Sequence, residues 1–302
     1  MLPMNKGEVD FMKNRAFVMI IIAGILWGTS SFFVQFLTPF GFWPFHMTFF
    51  RAFVALISLA IYILIRDKQL FKVTLKELLL FAGSGLAFFG TASCYYISMQ
   101  ATSVSTAVVL MYITPVLVMI YSVIFFGEKL TLLKIISVFL MLLGCCLVSG
   151  VVGGLKFDLW GIIVGVMSGI LYASYNIITK MQMRNGSNPF SATFYCFTFA
   201  AVIAFWVCKP ASIPQIISTN PPAILLLLLS LGICTCVLPY FLYTFSLKTL
   251  PAGTASALGI IEPMSATVFS VVLFNEKLGI TSAYGIILIL GAVFLLSKNK
   301  EM

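Results

Sequence analysis

Long apolar runs recur along the whole chain, separated by short stretches that carry the charged residues. A helix needs about 20 apolar residues to cross a bilayer, and the runs lack the alternation of a transmembrane β-barrel. The pattern predicts an all-α integral membrane protein with ten transmembrane helices. The predicted spans lie near residues 16–37, 44–65, 77–98, 102–126, 132–150, 157–181, 189–208, 222–247, 252–274 and 280–297.

The composition excludes a water-soluble protein. Of the 302 residues, 61% are apolar and only 9% are charged, whereas a soluble domain carries about 25% charged residues. The formal net charge of +9 comes from basic residues scattered singly over predicted loops. We therefore expect the lipid bilayer, and no nucleic acid, as a partner.

The basic residues predict the orientation. When the loops are assigned alternately to two sides, fourteen of the 18 lysines and arginines fall on one side and three on the other, with Arg51 inside the second span. Cytoplasmic loops carry the excess of basic residues. We therefore expect an inner-membrane protein whose N- and C-termini are both cytoplasmic.

The chain contains an internal repeat. Residues 98–129 align without gaps to residues 246–277, and eleven of the thirty-two pairs are identical. The predicted organisation is a cytoplasmic tail (1–15), two five-span repeats (16–150 and 151–297) and a second cytoplasmic tail (298–302). Because five is odd, the second repeat must enter the membrane from the opposite side. Such inverted-topology repeats are typical of secondary transporters, whose substrate site lies at the repeat interface.

One acidic residue, Glu262, lies deep inside a predicted span. A charge there costs about 2.5–3.5 kcal/mol, which makes it a functional candidate. We predict a carboxylate that binds a proton or a cation, paired in this coupling role with Arg51; the alternative is that it is only a structural partner for Arg51. The repeat mates of Glu262 and Arg51 are Thr114 and Cys196, so each charge occurs in one half only.

Aromatic and small polar residues at helical spacing form a second group of candidates. Trp27 and Ser31 share one face of the first span, and Tyr172 and Asn176 share the equivalent face of the sixth. Aromatic faces beside a carboxylate can hold an ammonium group; packing or lipid contact is the alternative role. The candidate substrate-binding residues are Trp27, Ser31, Tyr95, Tyr172, Asn176, Tyr240, Tyr243 and Glu262. The candidate hinges are Pro115, Pro239 and Pro263, because proline removes a helix hydrogen bond.

Several short motifs occur in a fixed order along the chain. They are Trp27-Gly28, Arg51 in the sequence FFRAFVA, Pro115 through Gly127-Glu128, and Glu262-Pro263 through Asn275-Glu276. In this order and repetition the chain resembles the EamA-type members of the drug/metabolite transporter superfamily. The resemblance implies two halves that rock around a cavity lined by spans 1, 3, 4, 6, 8 and 9. It says little about the substrate, because this superfamily moves amino acids, amines, nucleobases, sugars and drugs.

The sequence lacks the motifs of other classes. It has no phosphate-binding GxxxxGK[ST] motif and no catalytic triad, and we expect no enzyme activity, no cofactor and no metal. His46 and Lys180 stand near span ends, and we assign neither to the site. We predict a secondary active transporter for a small amphiphilic metabolite, an amino acid or amine, that works by efflux in exchange for protons or cations. The alternatives are an uptake carrier for a choline-like organic cation and a non-transporting sensor or accessory subunit; either a monomer or a homodimer fits.

Overall fold

A computed structural model describes residues 6–150, 158–274, 277 and 279–298, and within these ranges the chain is helical without strands. The prediction of an all-α protein is confirmed. Some predicted features lie outside the described residues. They are the first five residues of the N-terminal tail, the beginning of the second repeat at 151–157, Glu276, and the C-terminal tail beyond Lys298.

The described helices form ten segments. Segments 1 to 5 are Lys6–Gly28 with Ser30–Leu37, Pro44–Arg66, Leu75–Ala101, Val104–Met111 with Thr114–Phe126, and Leu132–Val148. Segments 6 to 10 are Leu159–Arg184, Pro189–Val207, Pro221–Gly232 with Ile233–Val237 and Leu238–Ser246, Ala252–Leu258 with Ile261–Phe274, and Ile280–Ser297. In the described part of the chain, nine segments are long and apolar enough to cross a membrane, and segment 5 is a shorter apolar helix. Helix already begins at Lys6, inside the predicted N-terminal tail.

Segments 4 and 9 are each interrupted at equivalent positions of the repeat. Segment 4 breaks at Tyr112 and Ile113, and segment 9 breaks at Gly259 and Ile260. A proline follows each break, Pro115 in one segment and Pro263 in the other. Because proline has no N–H and clashes with the carbonyl four residues earlier, a continuous α-helix is disfavoured at both places. The sequence correctly marks these positions, although it predicts each span as one helix.

The packing of the segments has an internal two-fold pattern. Segments 3 and 8 are counterparts in the two halves, and each packs on the first two segments of the other half. Segment 3 packs on segments 6 and 7, and segment 8 packs on segments 1 and 2. Segments 2 and 7, 4 and 9, and 5 and 10 contact their own counterparts. The two halves therefore interlock, and the broken segments 4 and 9 meet at the interface between them.

Glycines let segments 1 and 6 approach the two breaks. A Cβ added at Gly24 of segment 1 would lie 3.0 Å from the Cβ of Ile261. A Cβ added at Gly169, the repeat mate of Gly24, would lie 2.6 Å from Cγ2 of Ile113, the repeat mate of Ile261. Small residues permit this close approach of membrane helices. The same contact therefore supports the break in each half.

Segment 5 is held along segment 10 by a mutual glycine contact. A Cβ added at Gly144 would lie 2.8 Å from the carbonyl oxygen of Gly285, and one added at Gly285 would lie 2.6 Å from the carbonyl oxygen of Gly144. Although it is shorter than the other nine segments, segment 5 is thus part of the same helical bundle.

Gly28 provides a test of this packing. A Cβ at Gly28 would lie 2.7 Å from the Cβ of Ser265 and 2.9 Å from the backbone nitrogen of Ala266. We expect Gly28→Ala to lower the free energy of unfolding by about 1–3 kcal/mol, because overpacking forces the backbone to shift. The measurement is the midpoint of thermal unfolding in detergent.

The matched control is Gly291→Ala in segment 10, where an added Cβ has no neighbour within 4 Å. Alanine favours a helix over glycine by about 1 kcal/mol, so the control should keep or raise the midpoint. Equal behaviour of the two variants would contradict the close contact between segments 1 and 9.

Candidate functional site

Glu262 lies where the breaks of segments 4 and 9 meet. It stands in the first turn of the helix Ile261–Phe274, directly after the break of segment 9. Its Oε2 accepts a hydrogen bond of 3.0 Å from the hydroxyl of Tyr112. Tyr112 is buried and belongs to the break of segment 4. The acid of one half is therefore held by the tyrosine of the other.

Two of the predicted tyrosines lie in the neighbourhood of this carboxylate. Tyr95 of segment 3 and Tyr172 of segment 6 both lie close enough to Glu262 for electrostatic interaction. The guanidinium of Arg51 is also within this range of Glu262. Within the described part of the chain, however, Arg51 and Glu262 form no direct ion pair. No direct contact therefore supports the alternative role of Glu262 as a structural partner of Arg51.

The direct partner of Arg51 is the broken part of segment 8. Its Nη2 donates a hydrogen bond of 3.3 Å to the carbonyl oxygen of Thr235, inside the π-helical turn Ile233–Val237. The side chain of Cys236 lies beside the guanidinium. The Nε atom of Arg51 is buried, and no partner for it occurs among the described residues.

Tyr240 is the centre of an aromatic cluster next to Arg51. Its ring centroid lies 5.1 Å from that of Trp27, 5.2 Å from Phe88, 5.4 Å from Phe197 and 5.7 Å from Tyr175. All four contacts have edge-to-face geometry, which is a favourable arrangement for aromatic pairs. Five different segments thus supply one aromatic wall.

A hydrogen-bond chain fixes one side of this wall. The hydroxyl of Tyr243 donates to Oδ1 of Asn176, and Nδ2 of Asn176 donates to the carbonyl of Tyr172 at 2.6 Å. The ring of Tyr243 also packs 5.6 Å from that of Trp27. Both Asn176 and Tyr243 are fully buried. Asn176 therefore orients Tyr243, while the buried Nε1 of Trp27 has no partner among the described residues.

Ser31 lies apart from the other predicted site residues. It lines a cavity of about 270 Å³ between segments 1, 5, 9 and 10, together with Val148, Thr267, Ser270, Lys277 and Ser282. Its hydroxyl donates to the carbonyl of Gly28 at 3.1 Å. The cavity follows the helix face of segment 9 that begins with Glu262.

The three predicted hinge prolines all follow irregular backbone. Pro115 and Pro263 come just after the breaks of segments 4 and 9, and Pro239 comes just after the π-helical turn of segment 8. Each of the three prolines therefore lies next to a stretch of backbone that is not α-helical.

Sequence reasoning missed several residues of the site. Tyr112 has isoleucine, Ile260, as its repeat mate, so the repeat gives no polar signal, although its position three residues before a proline marks the break. Phe88, Tyr175 and Phe197 belong to a chain with 29 phenylalanines and 11 tyrosines, and no spacing distinguishes them.

Lys180 and Glu128 bind the link between segments 8 and 9. Lys180 is buried, and its Nζ donates to the carbonyls of Leu247 and Leu250 at 2.8 and 2.6 Å. Glu128 accepts a hydrogen bond of 3.0 Å from the backbone N–H of Ala252, the first residue of segment 9. Together they fix the end of the bundle at which segment 9 begins.

His46 is likewise a structural residue. Its Nδ1 accepts a hydrogen bond of 3.2 Å from the backbone N–H of Trp43, which caps the first turn of segment 2. Its Nε2 lies 3.3 Å from the hydroxyl of Ser212. The described residues contain no group of histidine, cysteine and acidic side chains that could hold a metal ion.

This bundle, with one acid at the meeting of two broken helices, has the features of a multi-pass membrane transporter. The EamA-like transporter family matches residues 14–150 and, a second time, residues 159–298. The chain belongs to the EamA-like transporter family, which confirms the resemblance found in the sequence. Membership of a transporter family argues against an enzyme.

Curated relatives carry the same description. An uncharacterized transporter of Archaeoglobus fulgidus is 28% identical over 91% of this chain and 94% of the relative. An uncharacterized transporter of Clostridium kluyveri is 26% identical over 66% of each chain. An uncharacterized inner membrane transporter of Escherichia coli (strain K12) is 24% identical over 68% of this chain and 67% of the relative. A solved crystal structure has the same fold, with a TM-score of 0.76 and 18% identity over 93% of this chain and 95% of that one.

The two hydrogen bonds of Lys180 allow a direct test. We expect Lys180→Met to lower the free energy of unfolding by about 1.5–3 kcal/mol, because hydrogen bonds to a charged group are worth that much and two buried carbonyls lose their donor. The midpoint of thermal unfolding in detergent measures the effect.

The control is Lys248→Met, which removes an exposed lysine whose Nζ lies 5.6 Å from the ring centroid of Phe245. This variant should unfold close to the wild-type temperature. If Lys180→Met is no more harmful than the control, Lys180 does not fix the link between segments 8 and 9.

Proposed function

We propose that this protein is a secondary active transporter of the inner membrane that moves a small amphiphilic metabolite by alternating access. The proposal includes ten spans in two inverted five-span repeats, with both termini in the cytoplasm. The observation that carries it is the position of Glu262, a lone acid held by Tyr112 at the point where the breaks of segments 4 and 9 meet. Such discontinuous helices at a repeat interface are a common way to build a transport site.

The chemistry of the site favours a substrate with an ammonium group, such as an amino acid or an amine. A cation beside Glu262 gains ion-pair attraction, and aromatic faces add a cation–π contribution of about 0.5–2 kcal/mol. Trp27, Tyr95, Tyr172 and Tyr240 would select the shape of the apolar part. Asn176 would act by holding Tyr243, and Ser31 would act in the cavity that it lines with residues of segments 9 and 10.

Coupling in this proposal depends on the same carboxylate. Glu262 would release a proton or a cation when substrate binds, with Arg51 setting the local field. The breaks before Pro115 and Pro263, and the π-helical turn before Pro239, would let the two halves rock. A membrane potential of 100 mV contributes about 2.3 kcal/mol for each charge that crosses, which is enough to bias the cycle. We propose efflux in exchange for protons or cations as the direction.

The test is flux in liposomes that contain the purified protein, with labelled neutral amino acids, choline and nucleobases as probes, with and without a pH step. We expect Glu262→Gln to abolish the flux that the pH step drives, because glutamine keeps an acceptor for Tyr112 but does not release a proton. The control is Asp67→Asn, which makes the same change at an exposed loop acid and should keep both flux and its pH dependence.

Unchanged flux and unchanged pH dependence in Glu262→Gln would overturn the coupling role. If choline is the only probe transported, and it moves in the direction that corresponds to entry into the cell, the protein is an uptake carrier for an organic cation rather than an efflux carrier. No flux of any probe by folded wild-type protein would favour a sensor or accessory subunit.

A further inference from the structure

Arg51 and Pro239 act on the same backbone position of segment 8. Thr235 lies in the π-helical turn Ile233–Val237, in which the N–H of Leu238 binds the carbonyl of Ile233, and α-helix resumes at Leu238. In α-helical register the carbonyl of residue 235 pairs with the N–H of residue 239, and proline at 239 has no N–H to donate. The carbonyl of Thr235 accepts a hydrogen bond of 3.3 Å from Nη2 of Arg51, across a separation of 184 residues. Inside a bilayer such a carbonyl must find its partner within the protein.

The equivalent contact of the fold, between segments 7 and 3, has neither residue. At the repeat offset that pairs Tyr95 with Tyr243, the mate of Pro239 is Thr91, and the mate of Arg51 is Cys196. Thr91 lies within the unbroken helix Leu75–Ala101, which has no proline-freed carbonyl to bind. The arginine of one repeat and the proline of the other therefore meet at one of the two equivalent contacts, and both are absent from the second contact, which fits the occurrence of Arg51 in one repeat only.

The contact also governs an aromatic residue of the candidate site. Tyr240 directly follows Pro239 and is the residue on which Trp27, Phe88 and Phe197 converge. The junction between the π-helical turn and the helix Leu238–Ser246 sets the direction in which Tyr240 leaves the backbone. A donor that fixes Thr235 fixes this junction.

We infer that Arg51 is a positioning residue: it supplies the hydrogen bond that Pro239 removes, and it thereby holds Tyr240 against Trp27 in the transport site. The relevance of Tyr240 to substrate rests on the proposed function, whereas the hydrogen-bond replacement itself does not. This role needs the donor geometry of Arg51 rather than its charge near Glu262.

The two roles of Arg51 make opposite predictions for a second substitution. Alanine at position 239 restores the N–H that can bind the Thr235 carbonyl. If Arg51 replaces that bond, Pro239→Ala will compensate for loss of Arg51. If Arg51 acts only through its charge on Glu262, Pro239→Ala will leave the defect unchanged.

The experiment uses full-length protein in which Trp43, Trp160 and Trp206 are replaced by phenylalanine, so that Trp27 is the single tryptophan. Trp27 is buried with 3% exposure, and its fluorescence reports whether Tyr240 still covers it. We expect Arg51→Met to shift the emission to longer wavelength and to raise quenching by acrylamide. The double variant Arg51→Met/Pro239→Ala should return both towards the starting values, and Pro239→Ala alone should change them little.

The decision rests on the double variant. The positioning role is overturned if Arg51→Met folds and leaves the fluorescence of Trp27 unchanged. It is also overturned if Arg51→Met changes this fluorescence and Pro239→Ala does not reverse the change. If Arg51→Met does not fold, recovery of folded protein on adding Pro239→Ala supports the role, and failure to recover overturns it. Glu262→Gln in the same background should leave the Trp27 signal unchanged. Failure of the flux experiment and failure of this one are therefore distinguishable, since the fluorescence needs no substrate.

Discussion

Backbone groups inside a bilayer find no water, so every irregularity in a membrane helix needs a partner from the protein itself. This constraint explains the position of several polar side chains, which bind backbone carbonyls at breaks or ends of helices. The carbonyl of Met111, four residues before Pro115, accepts the hydroxyl of Thr114 at 2.6 Å. The carbonyl of Thr235 accepts Arg51, and the carbonyls of Leu247 and Leu250 accept Lys180. Each of these carbonyls is thus bonded to a defined side chain.

The polar centre of the bundle is built on the same breaks. Glu262 and Thr114 are repeat mates that stand at the beginning of the second helix in segments 9 and 4. Thr114 donates to the carbonyl of Met111 next to its own break and to that of Gly169 in segment 6, whereas Glu262 projects a carboxylate that Tyr112 of the other half binds. One architectural position therefore carries a structural residue in one repeat and a chargeable residue in the other, as a site with a single polar orientation requires.

The aromatic wall depends on close helix packing for its shape. Gly24 and Gly28 bring segment 1 against segment 9, and Trp27 between them reaches Tyr240 and Tyr243 of segment 8. Asn176 fixes Tyr243 from segment 6. A wall whose rings come from several segments changes shape when those segments move. Rocking of the two repeats would therefore alter the site without any change inside a single helix.

The sequence by itself determined the helical class, the positions of the segments to within several residues apart from the start of the first, the prolines at the breaks and the isolation of Glu262 among the acids. These features are encoded locally, in apolar run length, in proline and in a repeat offset. Only the tertiary structure decided that Tyr112 holds Glu262, that Arg51 binds segment 8 rather than Glu262, and that Lys180 is buried. The first two contacts join residues 150 and 184 positions apart. Helical periodicity gives the face on which a side chain lies, but the partner on the facing helix is fixed only when the segments pack.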